Sequence, residues 1–248
     1  MNPEQFSLFD APVAAASWQL RRSDRARRLS ARVSMTGRVE VVAPQRASER
    51  AIHDFVTRYR GWIERHAARA RERSPAAQPF PPAHLELPAL ATRWRVHLGG
   101  GTGNPRVTAG SGNLLTIFGD VSTPPAQKLL ATALRRWLAR QALAHLTPQL
   151  EALALSCGFQ FRRVSLRCQR TRWGSCSARG TISLNICLLF QRPEVVRYLM
   201  LHELSHTRHM NHSSRFWDCV ARECPDYRAL DRELLRGWER VPSWVFGV

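Results

Sequence analysis

The sequence predicts an α+β fold, and three observations lead to this prediction. The first is length, since 248 residues can bury a sizeable core as one large or two small domains. The second is a set of segments with apolar residues at every second position, which is typical of strands. The third is a set of segments in which apolar residues recur every three or four positions, which is typical of amphipathic helices.

The N-terminal part is predicted to be a flexible tail over residues 1–16, followed by a hairpin and a helix over residues 17–73. Polar and apolar residues alternate from Arg28 to Ala43, and Met35-Thr36-Gly37 interrupts the alternation as a hairpin turn does. Pro44 is expected to end the second strand because proline has no N–H to donate to a sheet.

A helix is predicted from Ser48, whose hydroxyl can cap its first turn, to about Arg73. Residues 74–90 are predicted to be a linker or an extended crossing segment because five prolines fall within them. The rest of the chain, residues 91–248, is predicted to form the core that carries the chemistry.

Within that core, strands are predicted at Trp94–Leu98 and Leu114–Phe118, with a glycine-rich turn over residues 99–112 between them. A long helical pattern follows Pro124, and Pro148 is expected to kink or restart that helix.

Gly158 is placed to end the long helix. Two further strands are predicted at Val164–Arg170 and Thr181–Leu188, on either side of a compact turn over residues 172–180. We expect them to form a hairpin that borders the cleft. It either holds an extended peptide at an exposed edge or is an ordinary part of the core sheet.

The segment with the most specific chemistry is His202-Glu203-Leu204-Ser205-His206, an H-E-x-x-H motif in a helix predicted to open at Pro193-Glu194. Residues four positions apart lie on one face of a helix, so the two imidazoles can bind one metal ion. Glu203 lies beside them, where it can reach a water on that ion. The alternative interpretation is a helix whose two histidines are aligned by chance.

A catalytic zinc ion needs a third protein ligand and an open position. His212 is favoured, since a helix that ends at Asn211 lets the chain turn back before Ser213 caps a new helix. His209 lies ~10.5 Å along the axis from His202, so it is expected to be exposed or to support a ligand. A downstream acid is the other candidate: Glu223, Asp226 or Glu233.

Arginine dominates the charge of the chain. Arginine and lysine number 37 against 19 acids, which gives +18, and Lys128 is the only lysine. Such an excess is typical of polyanion binding or of attraction to acidic substrates, although a compositional bias explains the preference for arginine over lysine. Seven arginines lie in an interval without acids, between Glu151 and Glu194, that borders the predicted zinc site: Arg162, Arg163, Arg167, Arg170, Arg172, Arg179 and Arg192.

Three observations favour a cytoplasmic protein without a membrane partner. The six cysteines include no C-x-x-C pair, so reduced thiols are expected. No apolar run approaches the ~20 residues that cross a bilayer. The first sixteen residues carry Glu4 and Asp10, where a signal peptide needs positive charge.

Several motifs together are similar to one known family. They are His202 to His206, Met210-Asn211-His212-Ser213, Phe216-Trp217, Gln169 to Cys176, Ile182 to Asn185, Arg21 to Leu29 and Gly61-Trp62-Ile63. With these motifs the sequence resembles the YgjP-like metallopeptidase family over roughly Leu20 to Trp238, nearly the whole chain.

The resemblance implies a zincin-type α+β domain, related to the SprT and WLM proteases, in which residues 17–248 form one unit. It implies Zn²⁺ on His202, His206 and His212, with Glu203 as the base. It implies no particular substrate.

The function predicted from these observations is zinc-dependent hydrolysis of a peptide or protein. One alternative is a DNA-associated protease of the SprT or WLM kind; another is a non-catalytic nucleic-acid-binding protein with a structural metal site. Glu203 argues against the latter, since a structural site needs no base. Candidate oxyanion donors are Tyr227, Arg172 and Asn185, whereas Trp173 and Cys176 are expected to be packing residues.

Overall fold

The computed structural model describes residues 18–33, 37–73 and 79–247, and the chain divides into two compact units, Met1–Ala77 and Gln78–Val248. The predicted tail over residues 1–16 and most of the predicted turn, Met35-Thr36, lie outside the described residues. Helices and strands occur in separate stretches in both units, so the predicted mixed α+β class is confirmed.

The first unit contains a three-stranded sheet, in the order β1 (Trp18–Ser23), β3 (Val39–Pro44), β2 (Ser30–Val33). The predicted pairing of β2 with β3 is confirmed, because the two strands are antiparallel with Ala31 opposite Val41. The parallel strand β1 was not predicted, since most of its side chains are exposed and arginine-rich and it shows no buried face.

One helix, α1 (Glu49–Arg73), covers this sheet. The predicted cap is confirmed, because the backbone N–H of Ala51 donates to the Ser48 hydroxyl over 3.2 Å. Ile52, Ile63 and Ala67 are buried against the strands, which is the burial that stabilises an amphipathic helix.

The second unit begins with a four-stranded sheet in the order β4-β5-β7-β6: β4 (His84–Leu87), β5 (Thr92–Gly100), β6 (Arg106–Gly110) and β7 (Leu114–Phe118). Two of these strands correct the sequence prediction. Within the predicted 74–90 linker, β4 forms a strand because Leu85 and Leu87 are buried. Likewise β6 lies within the predicted glycine-rich turn and pairs with β7.

A 33-residue helix, α2 (Pro124–Ser156), runs through the core of this unit. Pro148 lies inside α2, so the expected restart is wrong. The buried Leu146 and Leu150 on either side hold the helix in the core, and this packing offsets the lost backbone hydrogen bond. The predicted end is confirmed at Gly158, where φ is +66° and Phe159 N–H donates to the Ala154 carbonyl over 2.8 Å.

A second sheet, in the order β8-β10-β9, follows: β8 (Arg163–Arg167), β9 (Gly174–Cys176) and β10 (Thr181–Asn185). The predicted hairpin of the first and last of these segments is wrong, because β8 and β10 are parallel. The predicted compact turn contains β9, which pairs antiparallel with β10 and forms an edge of the sheet. The Asn185 side-chain amide ties the intervening loop down by donating to the carbonyls of Gln169 and Arg172.

Three helices complete the unit: α3 (Pro193–Ser205), α4 (Ser214–Glu223) and α5 (Tyr227–Arg236). α3 opens at Pro193 as predicted, packs against α5, α4 and β9, and ends six residues before the predicted Asn211. Ser213 holds the predicted cap position of α4, but its side chain makes no cap hydrogen bond. Within the described ranges, no helix combines the length and apolar character needed to span a membrane.

Candidate metal centre

Two of the three candidate ligands come from the last turn of α3. His202 and His206 are one turn apart, so their rings share a face and their centroids lie 5.0 Å apart. His206 directly follows Ser205, the last residue of α3, rather than lying mid-helix as predicted, and its Nδ1 lies 3.1 Å from the His209 carbonyl oxygen. That hydrogen bond holds the ring while the chain turns away from the helix.

His212 reaches the same point from the segment between α3 and α4. Its Nε2 lies 3.1 Å from Nε2 of His202, and one ring nitrogen from each of the three histidines lies within 4.8 Å of the others. Nitrogens bound ~2.0–2.1 Å from one tetrahedral zinc ion are ~3.3 Å apart. The separation of the His202 and His212 nitrogens therefore suits a shared ion.

The alternative third ligands lie elsewhere. His209 supplies only its backbone carbonyl, and the Glu233 carboxylate binds Arg192 and Arg240. Among the described residues, the three histidines are the one group of His, Cys, Asp or Glu whose atoms could hold a metal ion together, so Glu223 and Asp226 do not join them.

A hydrogen-bond relay orients His202. The Tyr198 hydroxyl donates to Asp231 over 2.8 Å, so it accepts from Nδ1–H of His202 over 3.4 Å. This leaves Nε2 of His202 without a proton, as a metal ligand requires. Burial, followed by the other two imidazoles, lowers the pKa of His202 to about 3, and burial lowers the pKa of His206. Both rings are therefore neutral donors at pH 7.

Sequence reasoning missed both members of this relay. Tyr198 lies one turn before His202 on the same helix face, so the spacing that identified the motif could have found it. Asp231 lies 33 residues beyond Tyr198 on α5, and no local pattern connects the two.

Aromatic rings form the floor of the site. The fully buried Phe216 ring stacks on His206 with centroids 4.5 Å apart and meets His202 and His212 edge-on. Trp217 lies 5.6 Å from the His212 ring. These contacts explain why Phe216-Trp217 accompanies the histidine motif, since they hold the imidazoles and keep water away from one side of them.

Glu203 points from the same turn of α3 toward β9. Its side chain is 4% exposed, and Oε2 has no hydrogen-bond partner in the described part of the chain. Burial raises the pKa of Glu203 to about 8, and the Arg172 guanidinium opposes that rise. A buried carboxylate without a partner is costly, which is typical of groups retained for chemistry.

Gly174 makes room for this carboxylate. A β-carbon at position 174 would lie 2.6 Å from Oε1 of Glu203, closer than any real contact allows. The backbone at Gly174 is not left-handed, so space rather than conformation requires glycine here. Gly174, which follows Trp173, was the signal in the sequence that another group approaches the backbone closely here, and the prediction did not use it.

The structure separates the candidate oxyanion donors. Asn185 uses its amide hydrogens on two carbonyls, so it has none to offer. The Tyr227 ring stacks on Trp217, with centroids 5.2 Å apart, and its hydroxyl accepts from Arg228. The Arg172 guanidinium interacts electrostatically with Glu203. Tyr227 and Arg172 therefore stay as the candidate oxyanion donors.

Trp173 and Cys176 are placed as packing residues. The Trp173 ring is buried and stacks on Trp238 with centroids 3.9 Å apart. Burial raises the pKa of Cys176 to about 11, so its thiol is protonated at pH 7.

The donor set fits a catalytic divalent metal. Three imidazoles leave a fourth position of a tetrahedral ion open, and the buried Glu203 carboxylate follows His202 in the chain. The chemistry such a set supports is activation of water beside an electrophile.

Comparison with known proteins finds a matching family model and similar solved structures. The family model for the YgjP-like metallopeptidase domain matches residues 27–236. The crystal structure of the metallopeptidase zymogen abylysin of Pyrococcus abyssi is 27% identical and covers 35% of this chain and 89% of that one, with a TM-score of 0.33. The crystal structure of the metallopeptidase zymogen jannalysin of Methanocaldococcus jannaschii is 17% identical and covers 35% of this chain and 90% of that one, with a TM-score of 0.32. No curated protein matches the chain.

Proposed function

The chain belongs to the YgjP-like metallopeptidase family, and from this premise we propose that it is a zinc-dependent peptidase with Glu203 as general base. Membership implies a divalent metal and a peptide or protein substrate. The identity of the metal as zinc, its ligands His202, His206 and His212, and the role of Glu203 are our proposal.

The observation that carries the proposal is the convergence of three imidazole nitrogens within 4.8 Å beside a buried carboxylate without a partner. Catalytic zinc ions use sets of three histidines with an open fourth position. Imidazole is also a better ligand for zinc than for magnesium or calcium. A purely structural site is closed and has no use for a base.

In this mechanism the protein provides proton transfer and positioning. A zinc ion bound there supplies Lewis acidity toward a water molecule and the scissile carbonyl. Glu203 accepts the proton of the water and delivers it to the leaving amine, a role worth ~10²–10⁴-fold in rate. Burial makes Glu203 more basic than a carboxylate in water, and the Arg172 guanidinium opposes part of the rise in its pKa.

The edge strand β9 offers a place for the substrate backbone. It pairs with β10 on one side only, and its Gly174 lies against Glu203. An extended peptide that adds to this edge would lie across the base, which supports the predicted peptide-holding role of this sheet.

Metal analysis of purified variants tests the proposal. We expect about one zinc per chain in wild type and in Glu203→Gln, and none in His206→Ala, because only the histidines bind the ion. Glu203→Gln should nevertheless lose ~10²–10⁴-fold in turnover of a quenched peptide library. His212→Ala should lose zinc and its matched control His209→Ala should retain it.

Wild type that contains no zinc after growth with zinc available would refute the proposal. Loss of zinc only in His209→Ala would move the third ligand to His209. The DNA-associated alternative stays a prediction from charge, since no observation on the described residues favours nucleic acid over an acidic peptide.

A further inference from the structure

A cavity of about 360 Å³ opens beside the metal centre, and His206 forms part of its wall. The loop before β8 contributes Arg162, the turn between β9 and β10 contributes Arg179, and the turn after α3 contributes Thr207 and Met210. Its volume is near the lower end of the ~300–1,000 Å³ typical of ligand pockets, so it suits one side chain rather than a large ligand.

The charge of this cavity is entirely positive. Its lining contains two arginines and no carboxylate. Neither Arg162 nor Arg179 forms an ion pair or a side-chain hydrogen bond with any residue in the ranges we describe. Both arginines are exposed residues of the cavity lining, so their guanidinium groups can bind an anion that enters it.

The backbone holds the two arginines in a fixed relation. The N–H of Arg162 donates to the Gly180 carbonyl over 2.7 Å, which joins the loop before β8 to the turn after β9. That turn is closed by a bond from Gly180 N–H to the Ser177 carbonyl, and φ of +71° at position 180 requires glycine. Arg179, the residue before it, therefore projects from a constrained turn.

We propose that Arg162 and Arg179 form a subsite for an acidic side chain of the substrate, close to the scissile bond. This inference rests on the proposed peptidase function. An extended peptide on β9 that continues past Cys176 reaches the 177–180 turn, where its side chain can enter the cavity. Guanidinium groups bind carboxylates through paired hydrogen bonds, and the Met210 side chain in the wall can contact the methylenes of glutamate.

Quenched decapeptides with Glu or Gln at one position at a time test the subsite. Wild type should prefer Glu at one position by about tenfold or more in kcat/KM, mainly through KM, as hydrogen bonds to a charged partner require. The double variant Arg162→Gln/Arg179→Gln should lose that preference, so that it cleaves the Glu and Gln peptides with equal kcat/KM.

The matched control is Arg163→Gln/Arg167→Gln. It removes the same charge from exposed positions of β8 that do not line the cavity, so the preference for Glu should persist. No preference in wild type, a preference retained in the cavity variant, or an equal loss in both double variants would overturn the subsite.

A binding measurement separates the subsite from catalysis. Zinc-loaded Glu203→Gln should bind a labelled Glu peptide more tightly than its Gln counterpart, and the difference should vanish when Arg162→Gln/Arg179→Gln is added. If wild type binds zinc but cleaves no peptide, the proposed function fails and this binding difference still decides the subsite. A short single-stranded DNA should also be tested as a competitor. If it displaces both peptides equally from the protein, and no longer does so when Arg162 and Arg179 are replaced, the cavity binds nucleic acid instead.

Discussion

On the α5 side of α3 two carboxylates, Asp231 and Glu233, have partners, whereas on the β9 side the Glu203 carboxylate has an oxygen without one in the described ranges. Toward α5, Tyr198 donates to Asp231, and the Glu233 carboxylate binds two guanidinium groups. Toward β9, Glu203 Oε2 has no partner among the described residues, and the same holds for Arg162 and Arg179. The difference shows that the α5 side ties its carboxylates into the packing, whereas the β9 side leaves charged groups for the roles proposed above.

Arg179 and Arg192 show why the sequence could not make this distinction. Both belong to the interval without acids between Glu151 and Glu194. Arg192 nevertheless binds Glu233, 41 residues further along the chain, and Arg179 lies in a cavity without a carboxylate. An excess of positive charge in the sequence attracts an anionic ligand only where the fold does not pair the arginines with carboxylates.

The largest effect is expected on the β9 side, from Gly174→Ala. The added methyl group would lie 2.6 Å from Oε1 of Glu203 and must displace the carboxylate. We expect kcat to fall by ~10²-fold or more, since a shift of ~1 Å in a catalytic group costs about that much. Zinc content and thermal stability measured beside activity should change little.

The matched control is Gly110→Ala in β6, where a β-carbon meets nothing closer than the Leu114 carbonyl oxygen at 3.9 Å. This variant should keep full activity. Full activity in Gly174→Ala as well would show that the position of Glu203 does not depend on β9, and the contrast between the two sides would lose its catalytic meaning.

An intermediate effect is expected on the α5 side, from Tyr198→Phe. The variant keeps the ring but removes the hydroxyl that links His202 to Asp231. Because such outer partners orient a ligand, zinc affinity should fall by ~10–100-fold, measured by competition with a chelator. Tyr227→Phe, whose hydroxyl interacts with Arg228, serves as control and should bind zinc as wild type does. Equal affinity in all three proteins would contradict the relay.

The smallest effect is expected from Glu233→Gln, which removes the carboxylate that pairs with Arg192 and Arg240 on the α5 side. The pairs are partly exposed, so the free energy of unfolding should fall by about 1 kcal/mol or less, with activity unchanged. Urea unfolding at several pH values provides the measurement.

The pH dependence of that effect has a defined sign. Arg192 lowers the pKa of Glu233 in the folded protein, so the stabilisation is complete above the usual glutamate pKa of ~4.3. It disappears as the pH falls through the lower folded value. A difference between wild type and variant that grows toward acid pH would exclude these ion pairs as its source.

Local patterns predicted the elements on which the candidate site is built. The spacing of His202 and His206 required only helical geometry, and the cap of α1 at Ser48 followed from its hydroxyl. His212 was predicted to turn back toward the other two histidines because a helix end was expected at Asn211. In the structure α3 ends earlier, at Ser205, and His212 still lies beside His202 and His206.

Contacts between distant segments account for the rest. The order β8-β10-β9 places a short strand at the edge, although it lies between the other two in sequence. Alternation of apolar residues cannot distinguish this from a hairpin. Pro148 was expected to interrupt α2, and only burial of its neighbours explains why the helix continues. The link from Tyr198 to Asp231 likewise depends on how α5 docks.

The early end of α3 has a consequence for chain entropy. His206 and His212 bracket a five-residue loop, 207–211, whose Met210 is 53% exposed. A cation shared by both histidines closes this loop as a cross-link does, and so lowers the entropy that ordering it costs. Thr207 and Met210 in this loop are also part of the cavity wall. If the ion and the substrate bind as proposed, loading with metal would stiffen the wall against which the substrate side chain packs, and affinity for substrate would rise with occupancy of the metal site.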